Sequence, residues 1–151
     1  MTFDLSKLRD QYHQSVAAFI QGDPDVQKPL WSRRDDVTLA NPLGPPAKGF
    51  DAVCQVMDHA AFVRAVNGPF VQQGFFEREV HRVVRRFGNI AHVFSTYEGR
   101  AEADSTHVRG INSIQLIFDG TRWWVVSVYW QAESPGHSIP PQYLPNAARP
   151  E

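Results

Sequence analysis

Residues 108–131 constrain the fold more than any other stretch. Val108 to Phe118 and Thr121 to Gln131 are long runs rich in β-branched and aromatic side chains, and Asp119-Gly120 separates them. An Asp-Gly pair between two such runs is a strong hairpin signal, because both residues tolerate the backbone angles of a tight turn. A second pair of runs precedes it. Phe76 to Phe87 and Ile90 to Glu98 flank Gly88-Asn89, which also suits a two-residue turn. Four long antiparallel strands are therefore predicted in the C-terminal half.

The N-terminal half reads differently. Leu5, Leu8, Tyr12, Val16, Phe19 and Ile20 recur at three- and four-residue spacing, the signature of one apolar helix face. Gly22-Asp23-Pro24 stops that helix. A short second helix is predicted over about Asp25 to Arg33, then a short strand at Asp36 to Asn41. A rigid loop, Asn41 to Pro46, follows, and a third helix is expected from about Phe50 to Val66. Three N-terminal helices and four long strands make an α+β domain with the helices laid on one face of a curved, mostly antiparallel sheet. One domain covers residues 1–133. Residues 134–151 are read as an extended, proline-rich tail, docked by Ile139, Tyr143 and Leu144 if at all.

Tight pairing across Asp119-Gly120 places Leu116 beside Trp123, Gln115 beside Trp124 and Ile114 beside Val125. Both faces of that hairpin are then apolar. An antiparallel sheet covered on one side only shows a polar outer face, so a second cover is expected, and a homodimer supplies it most simply.

Composition narrows the function classes. The chain has 151 residues, of which 21% are charged and 12% aromatic, and its net charge is -1. Such a balance leaves no electrostatic footprint for nucleic acid or an anionic membrane. The single cysteine, Cys54, allows no internal disulfide. No signal peptide is visible at the N-terminus, and no apolar run reaches about 18 residues, so a cytoplasmic, soluble protein is expected. His81, His92 and His107 lack metal-ligand spacing, so no metal and no cofactor is expected. On strand parity, His81 and His92 share a face with Glu79, Arg85 and Glu98 and read as a charge ladder of cross-strand pairs. His13, His59 and His137 have no acid or nucleophile at useful spacing.

The layout resembles the NTF2-like superfamily, cone-shaped α+β domains that include ketosteroid isomerases, SnoaL-type cyclases and scytalone dehydratase. The resemblance rests on Val16-Ala17-Ala18-Phe19-Ile20-Gln21-Gly22-Asp23, on Asp35-Asp36-Val37-Thr38-Leu39-Ala40-Asn41-Pro42-Leu43-Gly44, on Gly49, and on Asp119-Gly120 through Trp123-Trp124-Val125-Val126-Ser127. It covers about residues 5 to 132 and is greatest to the SnoaL-like branch. It implies a pocket between the helices and the concave sheet face. Aligned by motif to the ketosteroid isomerases, the catalytic base falls on Asn41, the donor tyrosine on Ser15, the supporting tyrosine on Met57, and the late aspartate on Gln115 or Ile114. None of these is the isomerase residue, and an amide cannot take a proton near neutral pH. Ketosteroid isomerase activity is therefore not expected.

The polar groups expected at the pocket are Asn41, Tyr97 and Gln115, with Trp130 as an apolar wall. The opposite strand register would put Asn112, Ser127 and Tyr129 there instead. Such a set binds a small, mostly apolar molecule without obvious proton transfer. The alternatives are a non-catalytic dimerisation or interaction module, and an isomerase, cyclase or dehydratase acting through other residues.

Overall fold

Leu8, Tyr12 and Ser15 are buried along one stripe of the first helix, α1 (Leu5–Ile20), as its apolar spacing predicts. Gly22, at φ 94°, ends it by taking the left-handed conformation that a side chain opposes, and the Asp23 N–H closes back on the Ala18 carbonyl at 2.9 Å. A computed structural model of the chain describes residues 5–20, 22–40, 45–67, 76–100 and 107–145.

The predicted second helix does not form. Residues 25–33 make turns and one short 3₁₀ turn, Lys28–Leu30. Pro29 has no N–H to continue a ladder, and the chain instead extends beside the sheet. Ser32 N–H donates to the Val125 carbonyl at 2.8 Å. Two α-helices are thus described, the second being α2 (Phe50–Asn67).

Among the described residues the sheet has six strands. In chain order they are β1 (Thr38–Ala40), β2 (Ala47–Lys48), β3 (Phe76–Phe87), β4 (Ile90–Arg100), β5 (His107–Phe118) and β6 (Trp123–Ala132). Their spatial order is β2-β1-β6-β5-β4-β3. β1 runs parallel to β6 and every other pairing is antiparallel. The β3–β4 hairpin turns through Gly88-Asn89 with Phe87 opposite Ile90, as expected.

The β5–β6 register differs from the expected one. Phe118 lies opposite Trp123, so the loop has four residues, not two. The Asp119 carboxylate causes the change: its Oδ1 accepts the N–H groups of Thr121 and Arg122 at 2.8 and 3.0 Å, and its Oδ2 accepts Trp124 Nε1–H at 2.7 Å. These bonds hold the Asp119 carboxyl below the usual range, the Arg122 backbone contributing most. Farther on, a bulge shifts the register again, so that Gln115 faces Ser127 and Ile114 faces Val128.

The inner face is the one α1 and α2 cover. Leu8 and Tyr12 pack with Ile114 and Leu116, while Trp31, Val37, Val53 and Met57 join the same buried cluster. The outer face is covered in part by the chain's own tail. Ile139 is buried, the Tyr143 ring lies 4.9 Å from that of Phe94, and Thr96 Oγ1 donates to the Tyr143 carbonyl. No helix among the described residues is long and apolar enough to cross a membrane.

Candidate functional site

α1 does not lie flush on the sheet. Between Leu5 and Leu8 on the helix and Val93, Ile114, Leu116 and Val125 on the inner face there is a cavity of about 210 Å³. Its walls are mostly aliphatic, and its polar groups are gathered on the β3 side. There His13 of α1 meets Glu79 of β3, Nε2 to Oε2, at 3.0 Å. Ser95 Oγ donates to the same carboxylate oxygen at 2.5 Å, and Arg82 Nη2 lies 2.9 Å from Oε1.

A bulge puts Glu79 there. The β3–β4 register slips between Glu79 and His81, so Glu79 faces Tyr97 while His81 faces Thr96. Without the extra residue, Glu79 would share the outer face of His81, as strand alternation predicts. With it, the carboxylate turns inward to the cavity. Bulges commonly re-aim a side chain in this way beside a site. His81, His92 and Glu98 stay on the outer face, where Arg78 pairs with Glu98 and Arg109 with Glu133.

Burial alone would raise the Glu79 pKa. The hydrogen bonds from His13 and Ser95, with the His13 and Arg82 charges, outweigh it and hold the carboxyl below its ordinary range. Glu79 is thus a carboxylate at neutral pH. The carboxylate accepts from His13 Nε2. A His–carboxylate pair beside an apolar cavity is an acid–base arrangement. The spacing of His13 and Glu79, 66 residues apart, carries no local signal of it.

The residues expected at the site fall as follows. Asn41 lies outside the described residues. Gln115 is exposed on the outer face, since it alternates along β5 with Ile114 and Leu116, which face α1; the β6 bulge pairs it with Ser127 and turns Val128 and Trp130 to the inner face. Ser127 binds Thr38 and Tyr129 is exposed, so neither enters the cavity. Tyr97 and Trp130 do face inward, their rings 6.2 Å apart, but beyond the cavity wall. Gly110 makes room for Tyr97, since an added Cβ would sit 2.5 Å from Tyr97 Cζ and 2.7 Å from the Gln131 carbonyl oxygen. The Ser15 hydroxyl is spent on the Tyr12 carbonyl of its own helix, and Met57 is core. His13, Glu79, Arg82 and Ser95 are polar residues at the cavity that sequence reasoning did not select. Among the described residues no three His, Cys, Asp or Glu side chains cluster for a metal.

The architecture is shared with solved structures. An NTF2-like protein of unknown function from Pseudomonas putida KT2440 superposes with a TM-score of 0.69 at 14% identity, over 89% of each chain. A putative dehydratase of the NTF2-like family from Streptomyces avermitilis gives 0.65 at 13% identity, over 85% of this chain and 93% of that one. A ketosteroid isomerase-like protein from Erwinia carotovora atroseptica gives 0.61 at 18% identity, over 89% of this chain and all of the other, 100%. No sequence-family model matches the chain, and no curated protein matches it in sequence. The chain has the NTF2-like fold.

Proposed function

We propose that this protein binds a small, mostly apolar molecule in the α1 cavity and moves a proton on it, as an isomerase, cyclase or dehydratase would. The observation that carries the reading is the 3.0 Å His13–Glu79 contact at the edge of an apolar space. The space is smaller than the roughly 300–1,000 Å³ of drug-sized sites, so the ligand is small. His13 Nδ1 takes a proton from carbon beside a carbonyl, and the electron pair moves to the carbonyl oxygen. Glu79 stabilises the imidazolium that forms. Return of the proton to another carbon completes an isomerisation or cyclisation; loss of a β-hydroxyl, protonated as it leaves, completes a dehydration. The dehydratase and isomerase-like names among the structural neighbours are consistent with such chemistry.

The test needs no knowledge of the natural substrate. Purified protein in D₂O is incubated with cyclohexanone and acetophenone, and loss of the α-proton signals is followed by NMR. Wild-type protein should accelerate exchange, and His13→Ala should remove about 10²-fold or more of that rate. Exchange no faster than in buffer would remove the acid–base reading and leave binding alone.

The reading includes a homodimer. Phe87, Ile90, Ile117 and Trp124 form one cross-strand row on the outer face, at the end the tail leaves uncovered. Phe87 is 88% exposed and Ile90 53%. An apolar row of this kind is the surface a second copy would cover. The same row supports the interaction-module alternative if no ligand binds.

A further inference from the structure

The α1 cavity has a mouth, and a cation stands at it. Of the described residues that line the cavity, only Ser6 of α1 and Val84 of β3 are exposed, Val84 by 47%. The cavity therefore opens between the start of α1 and β3, the edge strand of the sheet. Arg82 and Arg86 flank Val84, two positions to either side, on the same face of the strand. They are not equivalent. Arg82 is held by the Glu79 carboxylate at 2.9 Å. The guanidinium carbon of Arg86 lies 5.2 Å from the centre of the buried Trp123 ring, and its Nε donates to the Gly88 carbonyl at 3.2 Å. Among the described residues no carboxylate pairs with it. The indole supports the side chain while the charged head stays in water.

We propose that the cavity takes a small monocarboxylic acid, apolar end first, with its carboxylate left at the mouth against Arg86. This rests on reading the α1 cavity as a ligand site. The aliphatic walls favour burial of a hydrocarbon chain. A carboxylate does not follow that chain inward, because its desolvation is costly and the Glu79 carboxylate already stands in the polar corner. At the mouth it stays hydrated and meets a guanidinium, whose planar edge of N–H donors suits two oxygens at once. Arg86 sits about 13 Å along β3 from Arg82, the arginine of the polar corner, at roughly 3.3 Å per residue. A bound acid therefore presents to His13 a carbon several bonds from its carboxylate, not the carbon next to it. The substrate class that follows is an oxo acid whose ketone or aldehyde lies toward its apolar end.

Hexanoate and hexanol are a matched probe pair of equal chain length, one charged and one neutral. Binding of each to the wild type, to Arg86→Met and to Arg85→Met is measured by NMR titration at low and high salt. Arg85 points to the opposite face of the same strand and serves as the control. Arg86→Met should weaken hexanoate about fivefold and leave hexanol unchanged. Arg85→Met should change neither, and salt should weaken hexanoate alone. The ¹⁵N-labelled Arg86 Nε–H of the wild type should shift with hexanoate and not with hexanol, a readout that stands even if the variant fails to fold. Equal effects of Arg86→Met on both probes, equal effects of Arg85→Met and Arg86→Met on hexanoate, or no Arg86 shift at hexanoate saturation would overturn the assignment. With hexanol still bound, any of these leaves the pocket in place. If neither probe binds the wild type, the pocket reading falls and this inference falls with it.

Discussion

Glu79 holds the most interactions at the candidate site, and its behaviour with pH is predictable. Its carboxyl titrates below the ordinary value of about 4.3 because His13, Ser95 and Arg82 favour the charged form over the cost of burial. A depressed carboxylate contributes stability that is complete above the unfolded value and is lost as pH falls through the folded one. Glu79→Gln should therefore be less stable than wild type at pH 7, with the gap closing as pH drops below about 4. Urea melts at a series of pH values read this directly, and a gap independent of pH would show that the contacts act without charge. Gly110 gives a second prediction at this scale. Gly110→Ala should destabilise by about 1–3 kcal/mol through overpacking, because the Tyr97 ring and the Gln131 carbonyl occupy the space. Near-ultraviolet circular dichroism should report the displaced Tyr97–Trp130 pair.

Among the elements, the β5–β6 turn sets the register in which the last hairpin starts. Asp119 caps that turn through two backbone N–H groups and the Trp124 indole. Asp119→Ala should lower the melting temperature and speed amide exchange in the last turns of β5 and β6. Unchanged exchange there would mean that the strands hold the turn rather than the reverse. The hairpins themselves are legible in the chain: β-branched runs and the Gly88-Asn89 and Asp119-Gly120 breaks state where they turn. Their faces are not. A bulge costs one residue and leaves no mark in composition, yet the one near Val80 turns Glu79 inward and the one near Val126 brings Val128 and Trp130 to the face of Ile114. The short helix predicted at 25–33 failed for a related reason. Backbone pairing with Val125 was available to Ser32 and outweighed a weak local preference interrupted by Pro29.

On the scale of the whole molecule, the tail and the exposed row divide the outer face. Ile139→Ala should cost about 2–3 kcal/mol, as for other buried aliphatic truncations, since that side chain is only 6% exposed. A denaturation midpoint equal to wild type would mean the tail is not docked in solution. The double substitution Phe87→Glu and Ile90→Lys should turn a dimer into a monomer in sedimentation experiments, with little change in the fold. A wild-type monomer at micromolar concentration would sink the dimer.

The sequence by itself determined the α+β class, the antiparallel hairpins and the first and third of the predicted helices. These follow from periodicity and turn chemistry, which act between residues close in the chain. It did not determine the partnership of His13 and Glu79. His13 looked isolated, and Glu79 looked like one member of a surface ladder. Their meeting depends on where α1 crosses β3 and on a single extra residue in one strand. Those are consequences of packing two elements 66 residues apart, and they exist only once the sheet has closed under the helix.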